Sequence, residues 1–321
     1  MEPSSSEPDA VIVPSDAPNP GKNGAFEPRS AHDAADARAA LGACCLYFAM
    51  QFILVRLQLT NPLALYGVTL VSLVITLCYT VALSRALKSN LAKIIWLVAT
   101  AAALLPFVLL PIIPMHSAAQ LAAAQKVYFA YLAVFRAVPG LRGLLLISFA
   151  VSIGSLVAQL IREIKLLLPV AVVLALVDLY VVFGGGLVTQ ANSGKAPVAQ
   201  AAMQTLTIGL TPRPPANVRA PAPLAVGFAD YLFVALFFAC FARFGMPARR
   251  TFLVLCSTLC LYMTAVVVLR LDLPALVPIA AVVVGCNLSA FRYKREEGFA
   301  ILYAGIIVCC ILGALVFLSR R

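Results

Sequence analysis

The sequence predicts an all-α polytopic membrane protein, a bundle of about 9–10 transmembrane helices. Two observations carry that prediction. Hydrophobic residues make up 62% of the 321 and charged ones only 12%, against about 25% charged in a typical soluble domain. The apolar runs are also too long for a soluble core, because several reach the roughly 20 residues a helix needs to cross a bilayer. Four regions follow: a tail over 1–38, N-terminal helices over 39–164, a second group of helices over 165–291, and a further C-terminal helix over 298–318.

Residues 1–38 are rich in Pro, Ser, Ala and Asp and lack the apolar stretch of a signal peptide, so they read as a disordered, solvated tail. They hold seven acids and three bases, a net of −4, while the whole chain carries +11, so the remainder carries +15. Those bases are scattered between apolar runs. They fit loop anchoring and anionic lipid head groups, and without a continuous basic patch they argue against nucleic acid as a partner. Spans are expected near 40–58, 62–84, 94–115, 141–161, 165–187, 223–243, 250–270, 272–291 and 298–318. A weaker tenth, over 119–138, contains Lys126 and two glutamines.

With ten spans and the N-terminus in the cytoplasm, Arg85, Lys88 and Lys93 fall inside, whereas Arg243, Arg249 and Arg250 fall outside. The chain is then a multi-pass integral membrane protein, of the inner membrane if prokaryotic. The long connection, 188–222, follows Gly184, Gly185 and Gly186 and is proline-rich, which suits a gate for substrate or a plain linker. Nine cysteines lie in apolar segments with no CxxC, and Cys256 and Cys260 read as small packing residues. Glu163 beside Arg162 and Asp272 near Arg270 read as interfacial pairs at span ends.

Two acids stand inside membrane-length apolar segments: Asp178 in PVAVVLALVDLYVVF and Asp230 in LAVGFADYLFVALFF. A charge at the bilayer centre costs roughly 2.5–3.5 kcal/mol on insertion scales. Two of one type in neighbouring spans suggest a paired site. Carboxylates within about 3–6 Å cannot both ionise cheaply, so the pair retains a proton and offers an acid beside a base. Tyr180 and Tyr231 flank the aspartates and could hydrogen-bond them or simply pack. Gly227, three residues before Asp230, suits close helix approach.

Pro274-Ala275-Leu276 opens a later span. It can either start a helix or leave the backbone free to pair with an extended peptide. Rival hydrolytic chemistries lack parts. The histidines are His32 and His116, there is no HExxH for zinc, and Ser152-Ile-Gly-Ser155 has no histidine partner and reads as helix packing.

The stretches LVDLYVVF (176–183), GFADYLF (227–233) and LPALVP (273–278) resemble the presenilin and signal peptide peptidase family of intramembrane aspartyl proteases. The likeness covers roughly 165–291. Three features depart from the family pattern: Val177 replaces a tyrosine, Ala229 the second glycine of Gly-x-Gly-Asp, and 298–318 adds a span. The resemblance implies Asp178 and Asp230 as catalytic residues, with Pro274, Ala275, Leu276 and Gly227 contacting substrate. It also implies transmembrane helices or signal peptides as substrates, with no metal or cofactor. The chain is compatible with a homo-oligomer. Two other functions remain open at this level: an inactive relative that binds helices, and a proton- or cation-coupled transporter using the same aspartates.

Overall fold

A computed structural model describes residues 29–56, 61–109, 126, 129–131, 133–135, 137–183, 207–210, 225–269, 273–291 and 295–319. The helices are α1 (Arg29–Arg56), α2 (Pro62–Ala86), α3 (Asn90–Leu109), α4 (Leu141–Val157), α5 (Leu167–Phe183), α6 (Phe228–Phe244), α7 (Ala248–Leu269), α8 (Leu276–Cys286) and α9 (Arg295–Ser319). A 3-10 turn, Ile164–Leu166, leads into α5, and another, Leu288–Ala290, follows α8. Strands β1 (Thr207–Gly209) and β2 (Ala225–Gly227) pair antiparallel, with Ile208 opposite Val226.

Among the described residues, four helical stretches are long and apolar enough to cross a membrane: Ala34–Leu54, Leu63–Ala86, Ile164–Phe183 and Ala248–Leu269. The stretch ending at Phe183 is the clearest, because only 11% of its most apolar window is buried inside the protein. Leu253, Leu261 and Val268 on α7 are likewise exposed. Apolar surface of that extent is stable in hydrocarbon and not in water. The chain is therefore all-α with a lipid-compatible exterior.

Local chemistry sets most boundaries. Asn61 caps α2 through its side-chain oxygen, which accepts from the Leu63 N–H at 2.9 Å, and Pro62 fits the first turn. Gly245 ends α6 at φ 65°, a left-handed geometry that favours glycine. α1 begins at Arg29, ten residues inside the stretch expected to be a solvated tail, because the run from Ala31 to Ala43 is alanine-rich and favours helix. α8 is shorter than the span expected over 272–291. Pro274 precedes its start, and at its end Asn287 donates to the Val283 carbonyl at 2.8 Å as the chain tightens into the 3-10 turn.

The core sits where α2, α4 and α6 meet. α4 and α6 cross closely at Gly154, where an added Cβ would lie 2.3 Å from the Leu232 carbonyl oxygen. Glycine is required there by the approach of the two backbones, which fulfils the packing role expected of the Ser152–Ser155 stretch. Tyr79 and Ser148 share a buried hydrogen bond of 2.7 Å between α2 and α4, and Tyr47 from α1 donates to the Gly140 carbonyl at 3.1 Å. Ile208 of β1 and Leu210 after it are fully buried, so this part of the connection between α5 and α6 is folded against the core. The remainder of 188–222, Gly184–Gly186, Asp272 and most of 119–138 lie outside the described residues.

Helix directions correct one expectation. Gln159, just past α4, donates to Asn90 at the start of α3 at 2.8 Å, so these helices run antiparallel. Arg243 at the end of α6 donates from Nη1 to the carbonyls of Ala158, Gln159 and Ile161. Lys88, after α2, pairs with Asp36 of α1 at 2.8 Å. Arg243 therefore shares an end of the molecule with Lys88 and Lys93, not the opposite side, and the short turn into α7 keeps Arg249 and Arg250 near it. The end of α3 and the start of α4 therefore lie at the same end of the molecule. Arg162 and Glu163, expected to pair, make no ion pair with each other.

Candidate functional site

Asp178 lies in the penultimate turn of α5, and Asp230 in the first turn of α6. The sequence places Asp230 deep within its segment, but the helix starts at Phe228, because Ala225–Gly227 is drawn into strand pairing with β1. The aspartates come from antiparallel helices joined at that end, so they meet at one level. Each is partly buried, and they are close enough to repel one another electrostatically.

Each carboxylate is held by a helix N-terminus. Asp178 Oδ2 accepts the Leu276 N–H at 2.8 Å, at the first residue of α8. Asp230 Oδ2 accepts the Gly227 N–H at 3.2 Å, reaching back across the first turn of its own helix. Backbone donors unsatisfied within the helix and the positive end of its dipole favour a carboxylate at both places. These bonds join four of the residues marked by sequence: Asp178 with Leu276, and Asp230 with Gly227.

Pro274 and Ala275 lie immediately before α8, with Ala275 as its cap residue. Pro274 is thus outside the helix rather than at its first position. Its carbonyl accepts from the Tyr262 hydroxyl at 2.7 Å. Tyr262, on α7, also lies within electrostatic reach of both aspartates. Sequence reasoning passed over it. The span holds other hydroxyls, among them Ser257, Thr258 and Thr264, so nothing in the sequence singles this one out.

Tyr231 does not bond Asp230. Only 1% exposed, it shares a 3.0 Å hydrogen bond with Thr76 Oγ1 of α2, and Thr76 is itself anchored to the Ser72 and Leu73 carbonyls. That contact holds α6 in register against α2, a positioning task. Tyr180 makes no hydrogen bond to either aspartate among the described residues. The methyl of Ala229 and the side chain of Val177 are exposed, so neither departure from the family pattern fills the space between the aspartates.

A cavity of about 20 Å³ opens beside Asp230, Tyr262 and Ala275, walled by Leu73, Leu259 and Ile279. That is room for about one water molecule. The arrangement therefore puts a water-sized, apolar-walled space next to Asp230, with a second carboxylate and a phenol nearby. No family model matches the chain, and no curated protein or solved structure matches it.

Proposed function

We propose that this chain is an intramembrane aspartyl protease that hydrolyses peptide bonds in transmembrane or signal-peptide-like helices, with Asp178 and Asp230 as the catalytic pair. The observation that carries the reading is the meeting of two carboxylates from α5 and α6 at the backbone that opens α8. In the proposed reaction one carboxylate takes a proton from water as the oxygen attacks the peptide carbonyl, and its protonated partner donates to the carbonyl oxygen. The tetrahedral diol then gives a proton back while the amide nitrogen receives one, and the C–N bond breaks to release acid and amine. Acid and base exchange roles during one turnover, so the pair acts as a unit, and neither metal nor covalent intermediate is required.

A substrate helix must unwind before it is cut, and unpaired backbone in lipid costs several kcal/mol per group. The β1–β2 ladder ends at Gly227, three residues before Asp230, and its outer edge together with the Pro274–Leu276 backbone offers partners for an extended segment. The bases gathered at the opposite end favour a multi-pass arrangement with that end, and the N-terminus with it, in the cytoplasm.

A specific observation favours a second reading. Both aspartates accept a backbone N–H at a helix start, so each has a structural task that an inactive, helix-binding relative would also need. Asparagine separates the two, because it still accepts that hydrogen bond but cannot exchange protons. Full-length protein reconstituted in liposomes with labelled transmembrane peptides should cut at least one of them. Asp178→Asn and Asp230→Asn should each lower cleavage by at least about 100-fold while remaining folded. Cleavage surviving either change rejects the pair. Ion flux lost in both variants, with no proteolysis in wild type, selects a transporter.

A further inference from the structure

At the end of the molecule away from the aspartates, α2, α3, α4 and α6 surround an open cavity of about 570 Å³. Arg243 in its wall lies 13 residues along α6 from Asp230, about 20 Å by helical rise. Four bases line the cavity, Arg85, Lys88, Lys93 and Arg243, against one acid, Asp36. Lys88 is ion-paired to that acid. Lys93 is only 9% exposed, forms no ion pair among the described residues, and has Arg243 as a like-charged neighbour. Arg243 directs Nη1 to three backbone carbonyls of the α4 end, which fixes its guanidinium at the rim.

A buried cation with another cation for a neighbour is unfavourable unless an anion compensates it. Ser155 adds an independent sign. It lines the same cavity, is 1% exposed, and its Oγ has no hydrogen-bond partner among the described residues. A buried hydroxyl left unpaired costs about 1–3 kcal/mol, which an acceptor in the cavity would recover. The cavity is far larger than an ion and within the range of small-molecule sites. It opens among helix ends, the depth at which lipid head groups lie.

We propose that this cavity binds a phosphate-bearing anion, either the head group of an anionic phospholipid or a free phosphate sharing its chemistry, with Lys93 as its buried counter-charge and Ser155 as a neutral donor. The site is separate from the aspartate pair and stands whether or not the chain cuts peptides.

The test measures thermal unfolding of the full chain in phosphatidylcholine vesicles, alone, with increasing phosphatidylglycerol, and with inorganic phosphate. Wild type should show a saturable upward shift. A shift with phosphatidylglycerol alone identifies a lipid site, and a shift with inorganic phosphate as well identifies a site for the free anion. Lys93→Met keeps the apolar stem and removes the charge. It should weaken the response about fivefold or more, yet be at least as stable as wild type without added anion. Arg85→Gln, altering an exposed side chain, should weaken the response comparably and serves if Lys93→Met does not fold. Arg250→Gln, outside the cavity, should leave it unchanged. The proposal is overturned if wild type gains no more than Lys93→Met, or if Arg250→Gln loses as much as either.

Discussion

Gly154→Ala tests how the position of Asp230 is set. The new Cβ would lie 2.3 Å from the Leu232 carbonyl oxygen, 3.0 Å from the Leu236 nitrogen and 3.2 Å from the Ala235 Cβ. Two of these are backbone atoms, so no side chain can swing aside. Restoring an ordinary contact near 3.4 Å requires α4 and α6 to separate by about 1 Å. Overpacking of this kind costs about 1–3 kcal/mol. Leu232 is two residues from Asp230, so the displacement reaches the carboxylate almost undiminished. A misplacement of about 1 Å can lower a rate by about 100-fold. Thermal unfolding followed by far-UV circular dichroism gives the first quantity, and cleavage of a reconstituted peptide substrate the second. Gly67→Ala is the control, since a Cβ there meets nothing within 4 Å, and it should be neutral or slightly stabilising. A Gly154→Ala protein as stable as wild type would refute the close crossing. One that is destabilised but cuts at the normal rate would refute its control of Asp230.

Three further outcomes are expected. Tyr262→Phe removes the donor to the Pro274 carbonyl and should cost about 0.5–1.5 kcal/mol in unfolding free energy, with faster amide exchange at the start of α8. Asp178→Ala leaves the Leu276 N–H without its acceptor and should cost about 1–3 kcal/mol, whereas Asp178→Asn should recover most of that loss in the same unfolding assay. Gly227→Ala places a methyl 3.4 Å from Asp230 Oδ2 at an ordinary φ of −69°, so stability should stay within about 0.5 kcal/mol of wild type. Cleavage should fall if substrate passes over that glycine, and unchanged kinetics would remove Gly227 from the substrate path.

What the sequence reveals here depends on whether the cause is local. The apolar runs mark the helices because burial in lipid needs length and hydrophobicity alone, and α2 lies within two residues of its expected bounds. Asp178 and Asp230 stand out because a carboxylate in such a run is costly wherever the neighbours lie. The start of α6 was hidden, because Ala225–Gly227 is as apolar as the helix and becomes a strand only by pairing with β1, some twenty residues away. Tyr262 escaped notice because a tyrosine in a span is common, and only the fold brings its hydroxyl to Pro274. The side assigned to Arg243 depended on counting crossings, whereas its contacts with the α4 end, which the sequence does not reveal, put it beside Lys88 and Lys93.

The same physics that makes the two aspartates expensive also makes them well placed. In hydrocarbon a carboxylate needs donors, and the donors always available are the first N–H groups of a helix. Asp230 uses the N–H of Gly227, the residue that caps its own helix, so its anchor forms with the start of α6. Asp178 uses the first N–H of α8, so its position requires α5 and α8 to be docked. The pair is therefore complete only when three helices are assembled. A water-sized cavity lies beside Asp230 and Ala275, next to the backbone that opens α8. An extended peptide entering there would compete with Asp178 for the Leu276 N–H. In the proposed protease, such binding would loosen one carboxylate from its anchor as a scissile bond arrived, coupling substrate entry to the freedom of a group proposed to exchange its proton.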